Sequence, residues 1–129
     1  MSENAGGVHV YWLPHCTTCQ RAVQHLHDRG ARIDSFRDLK ARPLERVEVE
    51  DLARQAGGAE KLFSKRAMKY RKLGLHEQTL TEDDLLRLIA EEYTFVTRPV
   101  LVRGDRATAG FSAKRVDELL DAPEPSPRR

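Results

Sequence analysis

The two cysteines of the chain, Cys16 and Cys19, stand close together in the stretch LPHCTTCQRA. The apolar run before them, residues 8 to 13, is rich in β-branched and aromatic side chains and predicts a strand. After them, apolar residues recur at helical spacing over residues 17 to 30. This position strongly constrains the fold, because a Cys-x-x-Cys pair between a strand and a helix places both thiols at the beginning of that helix.

The pattern along the rest of the chain is of the α/β type. A second strand is predicted over residues 31 to 36, which with the first strand and helix completes a right-handed βαβ unit. A helical block follows, and then RPVLVRGDRATAGFS predicts two strands joined by a turn at residues 103 to 106, with Ser112 capping a last helix. This order predicts a thioredoxin-like (glutaredoxin-like) sheet with a helical insertion between its βαβ and ββα halves. Another small mixed α/β sandwich is the alternative.

The helical block contains three apolar patterns. The first predicts one buried face made of Leu44, Val47, Leu52 and Ala56, with Gly57 and Gly58 ending the helix. The second continues through AEKLFSKRAMKYRKLGL and predicts buried positions at Leu62, Phe63, Ala67, Tyr70 and Leu73. The third has Thr81 as its N-cap and Asp84 at the third helical position, followed by Leu85, Leu88 and Ile89.

Composition limits the classes of protein to be considered. The length of 129 residues suits one domain, expected over residues 1 to 120, with residues 121 to 129 as a disordered tail rich in proline and charge. The 22 basic and 20 acidic residues are too evenly balanced to indicate direct binding to nucleic acid. No apolar run reaches the ~20 residues of a membrane span, and the first residues do not resemble a signal peptide. We therefore expect a cytoplasmic protein.

The position of Cys16 favours redox chemistry. Free N–H groups and the positive dipole end of a helix favour a thiolate, so the pKa of Cys16 is expected to be lowered. In such a turn the first thiol is usually exposed and the second lies beneath it, so Cys16 is the expected nucleophile and Cys19 the resolving thiol. Pro14 and His15 shape the turn. The hydroxyls of Thr17 and Thr18 are available to the thiolate.

Two other interpretations of the cysteine pair stay open. A structural zinc site needs two more ligands, and His15, His25 and His27 are the nearest candidates. However, His25 and His27 are two positions apart on a helix and face different directions. The other interpretation is a pair of buried apolar thiols. Neither interpretation uses the position between a strand and a helix, which is typical of a redox motif.

Arg98 and Pro99 precede the third predicted strand. Proline at the first position of a strand is common for structural reasons alone. In a thioredoxin-like fold, a cis-proline at this place lies against the Cys-x-x-Cys turn, which would bring Arg98 near Cys16. An arginine there stabilises a thiolate or holds an oxyanion with two hydrogen bonds.

Three stretches together resemble the arsenate reductase/Spx (ArsC) family: YWLPHCTTCQRA, FSKRAMKYRKLGL and RPVLVRGDRATAGFS. The resemblance covers residues 8 to 120 and implies a thioredoxin-like fold with a helical insertion. It places the nucleophile of the family on Cys16, its second cysteine on Cys19, and the arginine before its cis-proline on Arg98.

The resemblance implies one of two functions. Arsenate reductases attack arsenate with the first cysteine and hold its oxygens with arginines. They are reset by thioredoxin, glutaredoxin or glutathione as external reductant, without a bound cofactor or metal. Spx-type regulators use the cysteine pair as a redox switch and bind the α-subunit of RNA polymerase. For this chain we favour an arsenate reductase-like thiol oxidoreductase for arsenic detoxification, with the Spx-type regulator as the alternative.

The sequence departs from the glutaredoxin-linked reductases at several points. It has two cysteines in the turn, where those enzymes commonly have one, and Gly110 and Phe111 stand where they carry an arginine. The substrate-binding set implied here is Arg98, Arg66, Arg71, His15 and Thr17, with Pro99 as a structural residue. The lengths between motifs fit the Spx branch more closely. Gly58 falls on a glycine of that branch used in polymerase contact, although a helix end explains it equally well.

Overall fold

The computed structural model describes residues 6–122. Four strands form within that range: β1 (Val8–Trp12), β2 (Ile33–Asp38), β3 (Val100–Arg103) and β4 (Arg106–Ala109). The helices of the same range are α1 (Thr17–Asp28), α2 (Arg46–Ala56), α3 (Ala59–Leu62), α4 (Met68–Lys72), α5 (Glu82–Glu91) and α6 (Ala113–Asp121). Short 3₁₀ turns occur at Leu75–Glu77 and Tyr93–Phe95. In the described range no helix is both long enough and apolar enough to cross a bilayer.

The chain groups into two compact units. The first unit runs up to Asp38 and resumes at Arg98, and the second is Leu39–Thr97. The expectation of a single domain over residues 1 to 120 stays a prediction. Of the tail expected from residue 121, Asp121 is the last residue of α6, and residues 123 to 129 lie outside the described range.

The first unit contains a mixed sheet with the strand order β2-β1-β3-β4. β1 pairs in parallel with β2, whereas β3 is antiparallel to both β1 and β4. At the centre of the sheet, Val10 is paired with Phe36 on one side and with Leu101 on the other. With α1 between β1 and β2 and α6 after β4, this is the thioredoxin-like arrangement predicted from the order of elements.

The core of the first unit is aliphatic and follows from the alternation of the strands. Val8 and Val10 are buried while His9 between them is exposed, because successive side chains of a strand point to opposite faces. These valines pack in one cluster with Leu26 of α1 and with Leu101, Val116 and Leu119. Burial of each such side chain contributes about 1.5–3 kcal/mol, so this cluster fixes α1 and its first turn on the sheet.

Charged side chains hold α6 to α1 and to the sheet. His25 Nε2 lies 2.8 Å from Asp117 Oδ1, and Arg29 donates to Asp117 at 2.6 Å and to Asp121 at 2.7 Å. Arg103 of β3 donates to main-chain carbonyls at the C-terminal end of α6, at 3.2 and 3.0 Å. The last helix is therefore attached by polar contacts in addition to its buried Val116 and Leu119.

The second unit begins with α2, whose buried face differs from the predicted one. Val49, Leu52 and Ala53 are its buried residues, spaced three and four positions apart as one helical face requires. Val47 is 62% exposed, so its predicted burial was wrong. Glu45 is the N-cap and forms a capping box with Glu48. Val47 lies two positions before Val49, about 200° around the helix, so it faces away from the buried stripe.

The predicted second helix of the block is interrupted. Phe63 leaves the helical conformation with φ −85° and ψ 129°, forms a bridge with Val96 and stacks on Phe95 at 5.0 Å between ring centroids. The helical pattern therefore splits into α3 and α4, and Leu73, expected to be buried, is 56% exposed. Contacts with a distant segment override the local helical preference here.

Both helix ends predicted by capping residues are confirmed. Thr81 Oγ1 accepts from the backbone N–H of Asp84, whose carboxylate accepts from the Thr81 N–H, and α5 begins there. At the C-terminal end of α2, Gly57 has a φ of 100° and Gly58 has a φ of 133°, values that favour glycine. A helix end therefore accounts for Gly58 without any partner.

Candidate active site

The Cys-x-x-Cys motif lies at the predicted junction. Leu13 to Cys16 form a turn closed by a hydrogen bond from the Cys16 N–H to the Leu13 carbonyl at 3.0 Å. Cys16 is the N-cap of α1, with the extended φ of −82° and ψ of 121°, and the helix begins at Thr17. β1 is an inner strand of the sheet and ends at Trp12, just before the turn. The turn and its two cysteines are therefore held between β1 and α1.

Gln20 makes a contact with this turn that was not predicted from the sequence. Its backbone N–H donates to the Cys16 carbonyl at 3.0 Å as the first helical bond, and its side-chain Nε2 donates to the Pro14 carbonyl at 2.8 Å. The signal available in the sequence was a long amide side chain one helical turn after Cys16. That signal does not by itself distinguish a contact from an exposed glutamine.

The two cysteines differ in burial. Cys19 has 0% of its surface exposed, whereas Cys16 is partly exposed, and both are free thiols. The expected arrangement, with an accessible first thiol and a buried second thiol, is therefore present. An external molecule reaches Cys16 only, so any reaction of Cys19 must pass through Cys16.

The surroundings of Cys16 lower its pKa. Partial burial on its own would raise the pKa, but this effect is outweighed by the backbone N–H and the thiol of Cys19, the charge of Arg98 and the backbone N–H of Thr18. These groups favour the thiolate, as the N-terminus of a helix does. The lowered pKa expected from the motif is therefore present. Thr18 contributes to it through its main chain, where the sequence suggested its hydroxyl.

Cys19 has the opposite character. Burial raises its pKa to about 12, with a further increase from the neighbouring Cys16 sulfur, although the backbone N–H of Leu13 and the charge of Arg98 act in the other direction. Cys19 is consequently a protonated thiol near neutral pH and is directed at Cys16. This division between a thiolate and a buried thiol is what a nucleophile and its resolving partner require.

Arg98 and Pro99 lie where the third strand begins. The peptide bond between them is cis, as expected for the thioredoxin-like fold. Pro99 is buried and Arg98 half-buried, and the positive charge of Arg98 acts on both thiols. The structure therefore brings Cys16, Cys19 and Arg98 together in the first unit, although nearly eighty residues separate the cysteines from the arginine.

The other predicted site residues are placed as follows. His15 and Thr17 flank Cys16 and are exposed, which leaves both accessible to a molecule at the turn. Arg66 and Arg71 belong to the second unit and are exposed there, so their part in holding a substrate stays a prediction. Within residues 6–122, no group of three or more histidine, cysteine or acidic side chains is arranged to hold a metal ion.

Comparison with known proteins decides the family. The family model described as the ArsC family matches residues 11–119, a range that includes the cysteine turn, Arg98 and Pro99. The chain belongs to the ArsC family. A Bacillus subtilis protein, the uncharacterized protein YusI, is 32% identical over 111 residues, covering 84% of this chain and 93% of its own.

Other relatives in this family carry two different names. The global transcriptional regulator Spx of Bacillus subtilis is 25% identical over 114 residues, covering 88% of this chain and 86% of Spx. An arsenate reductase of Neisseria meningitidis is 26% identical over 119 residues, covering 88% of this chain and 97% of that enzyme. Among solved structures, a putative ArsC family related protein from Bacteroides fragilis superimposes with a TM-score of 0.80 at 24% identity, covering 90% of this chain and 99% of that one. This last similarity concerns the fold.

Proposed function

We propose that this ArsC-family chain is a thiol oxidoreductase of the arsenate reductase type. The observation that carries the proposal is the contrast between the partly exposed Cys16, whose pKa is lowered, and the buried thiol of Cys19 beneath it. A nucleophilic thiolate with an internal thiol as its second electron source suits a two-electron reduction. The relative named arsenate reductase supports arsenate as the substrate.

In the first step, Cys16 attacks as a thiolate. Its sulfur forms a bond to the pentavalent arsenic, and one arsenate oxygen leaves as water after protonation. Arsenic is still pentavalent in the resulting Cys16–arsenic adduct. The lowered pKa of Cys16 increases the fraction of thiolate, and the thiolate, not the thiol, is the nucleophile.

In the second step, Cys19 attacks the sulfur of Cys16. A disulfide forms, the sulfur–arsenic bond breaks with its electron pair passing to arsenic, and arsenite leaves in the trivalent state. The two thiols together supply the two electrons. Cys19 must lose its proton for this attack, and consumption of the Cys16 thiolate removes one of the effects that raise its pKa.

Positive charge on the substrate side comes from Arg98 and the beginning of α1. Arg98 already acts on Cys16, and the unpaired N–H groups of a helix N-terminus favour an anion. His15 and Thr17 flank the thiol and are proposed to contact the substrate oxygens. Arg66 and Arg71 are also proposed to bind the substrate oxygens. Hydrogen-bond donors held in place at a developing negative charge typically lower a reaction barrier by a few kcal/mol.

The disulfide has to be reduced by an external thiol. Thioredoxin, glutaredoxin or glutathione is the proposed reductant, and attack on the partly exposed Cys16 sulfur would release Cys19 first. We propose that the reaction takes place in the cytoplasm, where such reductants keep thiols reduced. Arsenic detoxification is the corresponding physiological role.

The proposal is tested by a coupled assay. Purified protein is mixed with arsenate, thioredoxin, thioredoxin reductase and NADPH, and in parallel with arsenate, glutaredoxin, glutathione, glutathione reductase and NADPH. We expect NADPH oxidation that depends on arsenate and on Cys16. Absence of arsenate-dependent turnover with each reductant would overturn the proposed activity.

A second candidate is an Spx-type redox regulator. It is supported by the similarity to Spx and would use the same cysteine pair as a switch, with the α-subunit of RNA polymerase as its partner. Binding of purified α-subunit to the reduced and oxidised protein, measured by calorimetry, separates this candidate from the first. Redox-dependent binding without arsenate turnover would establish the regulator in place of the enzyme.

A further inference from the structure

We propose that Gln20 is a positioning residue for the Cys16 nucleophile, acting by holding the Pro14 carbonyl and thereby the turn that carries the thiol. This inference rests on the proposed function, in which Cys16 reacts as a thiolate. It adds a residue that lies outside the Cys-x-x-Cys motif and makes no contact with the reacting sulfur in the role assigned to it.

Gln20 forms hydrogen bonds with two carbonyl groups of the turn, those of Cys16 and Pro14. The backbone N–H of Gln20 binds the Cys16 carbonyl at 3.0 Å, and its side chain reaches back to the Pro14 carbonyl at 2.8 Å. The turn itself is closed by the bond of 3.0 Å from the Cys16 N–H to the Leu13 carbonyl. Gln20 therefore connects the first full turn of α1 to the loop before it, in addition to the contacts that Cys16 and Cys19 make with that loop.

The contact involves the peptide plane between Pro14 and His15, whose orientation is not determined by the sequence of the turn. Proline at the second position of a β-turn suits both type I and type II turns, which differ in the orientation of the plane after it. No residue other than glycine has positive φ in the described range, so His15 does not adopt the positive φ of a type II turn. The Gln20 amide binds the carbonyl of this Pro14–His15 plane and so favours the orientation present here.

The position of this turn matters for both thiols. Cys16 Sγ is stabilised as a thiolate by main-chain groups of the helix, and the N–H of Leu13, at the other end of the turn, acts on Cys19. If the turn moves relative to α1, the alignment of both sulfurs with their donors changes. Gln20 is thus placed to affect the chemistry of Cys16 without contributing to the core, since its side chain is exposed.

The chain provides a matched control on the same helix. Gln24 lies one turn further along α1, is exposed, and donates from Nε2 to Asp28 at 2.9 Å. Gln20→Met and Gln24→Met each remove one exposed side-chain hydrogen bond of similar length from the same helix with an apolar side chain of similar shape. Only the first touches the turn. Gln20→Ala is the second variant, used if Gln20→Met does not fold.

The test measures the pH profile of Cys16 alkylation by iodoacetamide, with Cys16 identified by peptide mass spectrometry. If part of the lost hydrogen bond acts on the thiolate, the pKa of Cys16 rises in Gln20→Met. We expect a roughly threefold lower alkylation rate at pH values below the pKa of Cys16, and a profile for Gln24→Met equal to that of the wild type. We also expect faster hydrogen exchange of the Cys16 amide in Gln20→Met only.

The outcomes separate this inference from the proposed function. Equal profiles and equal amide exchange for the two methionine variants, with a lowered pKa of Cys16 in the wild type, would overturn the role of Gln20 and leave the nucleophile intact. An ordinary pKa of Cys16 in the wild type would overturn the proposed mechanism itself, and the inference with it. A loss of thermal stability alone, without a change in the profile, would show that Gln20 is only structural.

Discussion

Cys16 and Cys19 occupy the N-cap and the third helical position of α1, where the same turn of helix gives their thiols opposite acidities. The backbone N–H groups of the helix and the charge of Arg98 favour a thiolate at Cys16, whereas burial keeps Cys19 protonated. The more acidic thiol is also the more exposed one, since an external molecule reaches only Cys16. The order of events in the proposed reaction follows from these two contrasts.

Replacement of Arg98 should raise the pKa of Cys16. Its positive charge favours the thiolate, so in Arg98→Met the alkylation profile of Cys16 is expected to move to higher pH. The turnover with arsenate should fall at the same time, mainly through weaker binding of the oxyanion. Arg106→Met is the control, because Arg106 is exposed on β4 of the same unit. Identical profiles and kinetics for both variants would show that Arg98 is not part of the site.

Replacement of the two cysteines should affect arsenate reduction in different ways. Cys16→Ser is expected to abolish reduction with every reductant, because the nucleophile is lost. Cys19→Ser is expected to lose turnover with thioredoxin while keeping activity with glutathione, which can attack the Cys16 adduct from outside. The measurement is NADPH oxidation in the two coupled assays. Full thioredoxin-linked activity of Cys19→Ser would contradict the role of Cys19 as the resolving thiol.

The contact between α1 and α6 should make the stability of the fold depend on pH in acid. Hydrogen bonds from His25 and Arg29 lower the pKa of Asp117 below its ordinary 3.8, so the carboxylate stabilises the folded state above that value. This stabilisation is lost as the pH falls through the lower pKa of the folded state. Asp117→Asn should therefore have a lower melting temperature than the wild type at pH 6, and the difference should shrink below pH 4.

The control for this prediction is Glu118→Gln, the exposed neighbour of Asp117 on α6. Its melting temperature is expected to follow that of the wild type across the same range. A difference between Asp117→Asn and the wild type that stays constant from pH 6 to pH 3 would show that the contact does not depend on the charge of Asp117.

The capping box of α5 gives a prediction for the second unit. Thr81→Ala removes the acceptor for the Asp84 N–H and should lower the free energy of unfolding by about 1 kcal/mol. Thr79→Ala, at an exposed threonine two residues before the cap, is expected to have almost no effect. Urea unfolding followed by circular dichroism measures both. Equal midpoints for the two variants would show that the cap does not stabilise α5.

The sequence predicted the elements whose signals are local. The strand ending before Pro14, the caps at Thr81 and Ser112 and the turn around Gly104 each depend on a few adjacent residues, and all are present in the structure. The face of α2 was mispredicted because Leu44 lies before the helix, so its spacing to Val47 is not a helical spacing. The interruption at Phe63 depends on its bridge to Val96, a contact that no local pattern contains.

The residues of the candidate site that belong to sequence motifs were predictable. Cys16, Cys19 and Arg98 are found by the Cys-x-x-Cys spacing and by the Arg-Pro pair, and their proximity follows from the order of the strands. The contribution of Gln20 was not predictable, because it depends on where one carbonyl of a turn points. The main-chain donors of Thr18 and Leu13 were missed for the same reason.

The most direct test of the account is a single turnover without any external reductant. Fully reduced protein is mixed anaerobically with excess arsenate, arsenite is quantified, and the Cys16–Cys19 disulfide is measured by mass spectrometry of the unreduced peptides. We predict one arsenite and one Cys16–Cys19 disulfide for each protein molecule, and neither product from Cys16→Ser. Persistence of both free thiols, with no arsenite formed, would contradict the proposed reaction.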